Sequence, residues 1–224
     1  MDENRIILID KPSNISSFGV VAKVRAKLRD QLGHKVKVGH TGTLDPFATG
    51  LLILLSGKMT KQSSEFLKLD KTYIATIKLG FTSTTGDPEG EITAVIPKKH
   101  EDYPSFSEIT SVISTSFIGK ITQTPPRFSA IKIDGQRAYK LARKGQNFQI
   151  PSREIEIYSI DILDYHYPEL QLKVHCSSGT YIRTLAEDIG KKLGTNAYLT
   201  ALRRTQIGQY HIEDATSLSD FMLQ

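Results

Sequence analysis

Gly39-His40-Thr41-Gly42-Thr43-Leu44-Asp45-Pro46-Phe47-Ala48-Thr49-Gly50-Leu51-Leu52 is the stretch on which the reading of this sequence turns. Its three glycines, its proline and its small hydroxyl residues predict a tight irregular loop between Val36–Val38 and the apolar run Leu51–Leu55, because glycine adopts backbone angles that other residues avoid. Asp45 lies inside that loop. Pro46 biases it toward an extended conformation and brings no backbone donor, so its carboxylate is not engaged in capping a helix through that amide. A carboxylate so held can serve as base, nucleophile, metal ligand or simple turn former, and the last is the commonest use of Asp in a loop. Two templates fall away at once. No Gly-Lys-Ser/Thr ending follows, as a nucleotide-binding P-loop needs, and no second Asp or Glu is near enough in sequence for a metal site.

Around this loop the chain has 224 residues, long enough for one domain with a substantial core. With 39% apolar and 24% charged residues, and no apolar run of membrane-spanning length, it reads as a soluble globular chain. No signal peptide is visible, and the expected compartment is cytoplasmic. A single cysteine, Cys176, excludes an intramolecular disulfide and argues against a zinc cage. The net charge of +5 is unevenly spread. Lys120 to Ile150 holds seven basic residues and one acid, Asp134, whereas Glu154 to Glu169 holds five acids and no Lys or Arg. Such segregation fits either a positive face that attracts a polyanion or an ordinary solvated surface.

Periodicity supplies the elements. Ile6–Ile9 reads as a short buried strand, followed by a turn over Asp10-Lys11-Pro12-Ser13-Asn14. A helix is expected from about Ser17 to Arg29, with Val21, Val24 and Leu28 as its apolar stripe and Lys23, Arg25, Lys27 and Arg29 on its back. Leu51–Leu55 is a buried strand or a short helix, and Met59–Leu69 reads as helical. Lys71–Leu79 has strand periodicity and carries Tyr73, whose ordinary fate there is sheet packing. Thr84–Gly90 is turn-rich and holds a second Asp-Pro step at Asp87, which needs no function to explain it. Ser105-Phe106-Ser107-Glu108 is a capping box for a helix carrying Ile109, Val112, Ile113 and Phe117. Gln123–Gly145 reads as a strand, an Asp-Gly turn and a short basic helix. Strands follow over Arg153–Tyr165 and Glu169–Cys176. A further helix starts near Thr180 and stops at Gly194. It holds Arg183 in its first turn, where a cation opposes the helix dipole by about 0.3 to 1 kcal/mol and therefore wants an anion.

The loop over residues 39–52 resembles the signature loop of the TruB family of RNA pseudouridine synthases, and at least four further motifs resemble that family in matching order. These are Asp10-Lys11-Pro12, Lys71-Thr72-Tyr73, Ser177-Ser178-Gly179-Thr180-Tyr181-Ile182-Arg183 and the strand with Leu202-Arg203-Arg204. Together they span nearly all of residues 6–208. The chain departs from the pattern at Asn14, where glycine is usual, at Ser16-Ser17, which replaces Thr-Ser, and at Phe128, where tyrosine is usual. Asparagine is the next best residue for a left-handed turn. The loss of the tyrosine hydroxyl keeps Phe128 out of the catalytic set.

The resemblance implies an α+β pseudouridine synthase fold: a mixed, largely antiparallel central sheet with flanking helices and an active-site cleft across the sheet. It implies one catalytic domain over 1–224, without the C-terminal RNA-binding PUA domain of many members, and hence weaker, more salt-sensitive RNA binding. It makes Asp45 the nucleophile, Arg183 its partner and Tyr73 the ring that stacks on the target base and assists its deprotonation. His40 fills the space left by a flipped base, Lys11 and Pro12 support the loop, Asp87 belongs to the polar surroundings of the site, and Leu202 walls the uracil pocket. Thr41 and Phe47-Ala48 resemble the bacterial stand-alone type. The expected reaction is therefore isomerisation of uridine at position 55 in the T loop of tRNA, by a monomer, without guide RNA, cofactor or metal. The alternatives are a synthase for another RNA and an RNA-folding chaperone whose catalysis is dispensable.

Overall fold

The computed structural model describes residues 2–95 and 103–224. In chain order the first elements are β1 Ile6–Lys11, α1 Ser17–Leu32, β2 Val38–His40, β3 Thr49–Ser56, α2 Ser63–Lys68, β4 Lys71–Leu79, β5 Phe81–Ser83 and β6 Ile92–Ala94. Then come α3 Phe106–Ser116, β7 Gly119–Gln123, β8 Lys132–Ile133, β9 Gln136–Arg137, α4 Ala138–Arg143, β10 Arg153–His166 and β11 Glu169–Cys176. The last are α5 Ile182–Lys192, β12 Ala197–Ile207, β13 Tyr210–His211, β14 Thr216–Ser217 and α6 Leu218–Leu223. The fold is mixed α+β with a largely antiparallel sheet. The chain forms two compact units, Met1–Ile74 with Leu202–Gln224, and Ala75–Ala201. No helix among the described residues is long and apolar enough to cross a membrane.

In the first unit the strand order is β14-β1-β3-β12-β4. β1 runs antiparallel to β3, with Ile6 opposite Leu55 and Lys11 opposite Gly50. β3 is buried along nearly its whole length because both of its faces are covered. Leu52 and Leu54 pack with Val20, Val21, Val24 and Leu28 of α1. Leu51, Ile53 and Leu55 pack with Phe66 and Ile207. That double burial removes polar alternation and explains why this run read as either strand or helix. α1 starts at its Ser16 cap, whose hydroxyl accepts from the Gly19 amide, and runs three residues beyond Arg29 to Gly33. At φ +74° Gly33 takes the left-handed conformation that closes a helix. Asn14 adopts φ +62°, as the turn requires.

In the second unit the order is β12-β4-β11-β10-β7. β10 lies antiparallel to both β11 and β7. Leu170, Leu172, Val174 and Cys176 are fully buried on one face of β11, as the alternation predicts. α3 carries the complete capping box between Ser105 and Glu108. Asp134 and Gly135, both at positive φ, turn the small hairpin of β8 and β9. α5 begins two residues later than expected, at Ile182, and ends where Gly194 turns left-handed.

Candidate active site

The loop between β2 and β3 is irregular throughout residues 41–48, and Asp45 sits in it half-buried. Its backbone is clamped from both sides. On one side, the Ser17 hydroxyl accepts from the Leu44 amide at 2.8 Å and donates to the Leu44 carbonyl at 2.9 Å. On the other, the Pro46 carbonyl accepts from the Asn14 amide at 2.8 Å and from Lys11 Nζ at 3.1 Å. Lys11 is fully buried and also donates to the carbonyls of Pro12 and Ile15, at 2.8 and 2.7 Å. The Lys-Pro turn thus anchors the loop through main-chain oxygens, while the Pro12 ring itself is exposed. Thr41 closes the loop's start by donating its amide to the Ile53 carbonyl at 3.0 Å.

A residue singled out only as part of the β12 motif completes the support. Arg204 is 1% exposed. Its Nε donates to the Leu51 carbonyl at 2.8 Å and its guanidinium to the Gly42 carbonyl at 3.1 Å, which ties the two ends of the loop together. Its own backbone pairs with Gly50 across the parallel β3–β12 ladder. A Cβ on Gly50 would stand 2.3 Å from the Arg204 carbonyl oxygen, so only glycine fits there. The signal for Arg204 was present in the sequence. Strand period two places it in phase with buried Leu202, which marks a cation directed inward. A guanidinium taken out of water is tolerated because carbonyl dipoles replace its hydration.

His40, at the end of β2, is half-buried and accepts from the Gly42 amide through Nδ1 at 3.4 Å. Burial pushes its pKa below the ordinary 6.5, and the nearby Arg204 charge pushes the same way. The imidazole is therefore neutral at physiological pH. Tyr73 on β4 is 8% exposed, and Leu202 on β12 is 9% exposed. Both belong to the unit that contains the loop.

Arg183 and Asp87 meet in the second unit. Arg183 Nη1 stands 3.1 Å from Asp87 Oδ2, and both side chains are almost wholly buried. Asp87 Oδ1 also accepts from the Thr85 hydroxyl at 2.6 Å and from the Glu89 amide at 3.0 Å. Arg183 donates further to the carbonyls of Thr85 and Phe128, at 3.0 and 2.9 Å. The anion that the first turn of α5 called for is thus at least in part Asp87, which is more than the turn former its sequence context required. Phe128 takes part through its main chain, so the missing tyrosine hydroxyl leaves this contact intact.

Among the described residues no group of His, Cys, Asp and Glu is disposed to hold a metal ion. The first unit offers a rigidly carried carboxylate, a neutral imidazole and a phenol; the second offers a buried arginine–aspartate pair. Matched against known families, residues 29–182 fit the TruB family pseudouridylate synthase N-terminal domain, and residues 183–223 fit the tRNA pseudouridylate synthase B C-terminal domain. The chain is 45% identical over 220 residues to the tRNA pseudouridine synthase B of Phocaeicola vulgatus, covering 98% of this chain and 92% of that one. Among solved structures it resembles a chain of a Cbf5-Nop10-Gar1 complex, with TM-score 0.70 and 29% identity over 98% of its length. It also resembles a chain of an H/ACA RNP bound to a substrate RNA containing 2'-deoxyuridine, with TM-score 0.67 and 26% identity over 98% of its length. It spans about half of each of those two chains, 54% and 52%.

Proposed function

Because the chain belongs to the TruB family of pseudouridylate synthases, we propose that it converts uridine to pseudouridine in tRNA, at position 55 of the T loop, as a stand-alone enzyme. The observation that carries the reading is the clamp on the Asp45 loop. The carboxylate at the family's nucleophile position has its backbone fixed on both sides, by Ser17 before it and by Asn14 and Lys11 after it. A nucleophile so held loses little orientational freedom on meeting its target. The name of the Phocaeicola relative supports tRNA as substrate. Thr41 and Phe47-Ala48 support action without a guide RNA.

In the proposed reaction the target uridine leaves its stack, since its glycosidic bond cannot be reached inside folded RNA. Asp45 attacks either the anomeric carbon or the uracil ring. The bond from the base nitrogen to the ribose breaks, the uracil turns, a carbon–carbon bond replaces it, Asp45 is released as its carboxylate, and the proton lost from that carbon is matched by one gained at the freed base nitrogen. No electrons enter or leave, so the step needs no redox partner. Tyr73 stacks on the base and assists removal of the proton. Arg183 keeps Asp45 ionised and aimed in the reacting complex, itself held by Asp87. His40 enters the vacated stack, and its neutrality spares the cost of burying a charge there. Leu202 bounds the uracil.

Incubation of the purified protein with an unmodified tRNA transcript, followed by nucleotide-resolution mapping, tests the proposal. Pseudouridine confined to position 55, and absent with Asp45→Asn, is the expected result. Modification at another position, or full activity in Asp45→Asn, overturns it.

A further inference from the structure

Phe18 is 65% exposed, an unusual position for a phenylalanine in the first turn of a well-packed helix. The residues that α1 buries are Ser17, Val20, Val21, Val24 and Leu28, so Phe18 lies outside the stripe that faces the core. It directly follows Ser17, whose hydroxyl holds Leu44, the residue before Asp45. At 100° per residue Phe18, Ala22, Arg25 and Arg29 fall along one flank of the helix. Arg25 is exposed about 10 Å along the axis from Phe18, with the small Ala22 between them. The exposed surface of α1 otherwise carries Lys23 and Arg29, and its one acid, Asp30, is paired to Arg29 at 2.8 Å.

We propose that this flank of α1 is a track for single-stranded RNA beside the reacting nucleotide, with Phe18 stacking on one base and Arg25 holding a phosphate further along the strand. An aromatic ring offers any base a face without reading its sequence, and a cation spaced along the same line meets the backbone. RNA is favoured as occupant because Phe18 directly follows Ser17 of the Asp45 clamp and the helix surface beyond it is basic. The inference rests on the functional reading above.

The chain contains no tryptophan, so Phe18→Trp introduces a single reporter. The expected result with an unmodified tRNA transcript is quenching of that fluorescence on binding. Phe18→Ala should weaken RNA binding about 5- to 100-fold, and Phe18→Tyr should stay within about twofold of wild type. Arg25→Gln should lower the slope of log affinity against log salt by roughly 0.7 to 0.9. Unchanged fluorescence with saturating RNA, or equal losses in Phe18→Tyr and Phe18→Ala, overturns the track. Pseudouridine formation by the wild type in the same transcript is scored separately. If none forms, the functional reading falls, and the quenching still decides whether RNA uses this flank.

Discussion

The loop over residues 39–52 and the loop over residues 84–90 both turn on glycines around an Asp-Pro step, Asp45-Pro46 in one and Asp87-Pro88 in the other. Each is also fixed by an almost fully buried arginine, Arg204 and Arg183. In the first loop the arginine bonds main-chain carbonyls at either end and Asp45 is left half-buried. In the second, the arginine takes the aspartate itself, and Asp87 is 2% exposed with a hydroxyl and an amide also bonded to it. One arginine shapes its loop through main-chain carbonyls; the other is bound to the aspartate of its loop directly. The same dipeptide is therefore held in two different ways, and what separates the two cases is which groups a distant arginine bonds.

The sharpest way to break that contrast is to neutralise each aspartate in turn. Asp45→Asn should reduce pseudouridine formation by at least about a thousandfold, as expected for loss of a nucleophile, while its melting temperature falls far less than that of Asp87→Asn. Asp87→Asn takes away the carboxylate 3.1 Å from the buried Arg183 and should cost about 1.5 to 3 kcal/mol, a drop of roughly 3 to 12 °C in a chain of this size. Equal melting temperatures for the two variants would erase the distinction. Arg204→Met comes next. It strips two charge-assisted bonds from the loop carbonyls and should cost roughly 2 to 4 kcal/mol, with a loss of turnover larger than the loss of RNA affinity.

A smaller effect concerns pH. The folded pKa of His40 lies below its unfolded value of 6.5 because of burial and then the Arg204 charge, so the unfolded chain takes up the proton first. The stability tied to neutral His40 is present above pH 6.5 and is lost as pH falls below it. In Arg204→Met the imidazole resonance followed by NMR should titrate at higher pH than in the wild type; an unmoved midpoint would show that the guanidinium does not act on His40. The smallest change is expected from Glu187→Gln. Glu187 lies on α5 beside Gly86 of the second loop, and its pKa is raised mainly by burial. Its folded form favours the proton, so its contribution is full below about pH 4.5 and declines as pH rises through the folded value. Denaturation of Glu187→Gln should thus show a slight gain relative to wild type at pH 7 that vanishes near pH 4.

The sequence by itself determined much of this protein, because the relevant signals are local. Glycine and proline spacing set the loop around Asp45, period two set β4 and β11, and caps such as Ser105 with Glu108 set the helices. Family resemblance on those same motifs pointed to the fold and to the chemistry. Tertiary structure alone decided the fate of the buried charges. Whether Asp87 is a turn former or the partner of Arg183 depends on residues 96 positions apart in the chain meeting. Likewise Arg204 reaches Gly42 across 162 positions to hold the loop. Such pairings are set by strand order and depth of burial, and no window of sequence contains both partners.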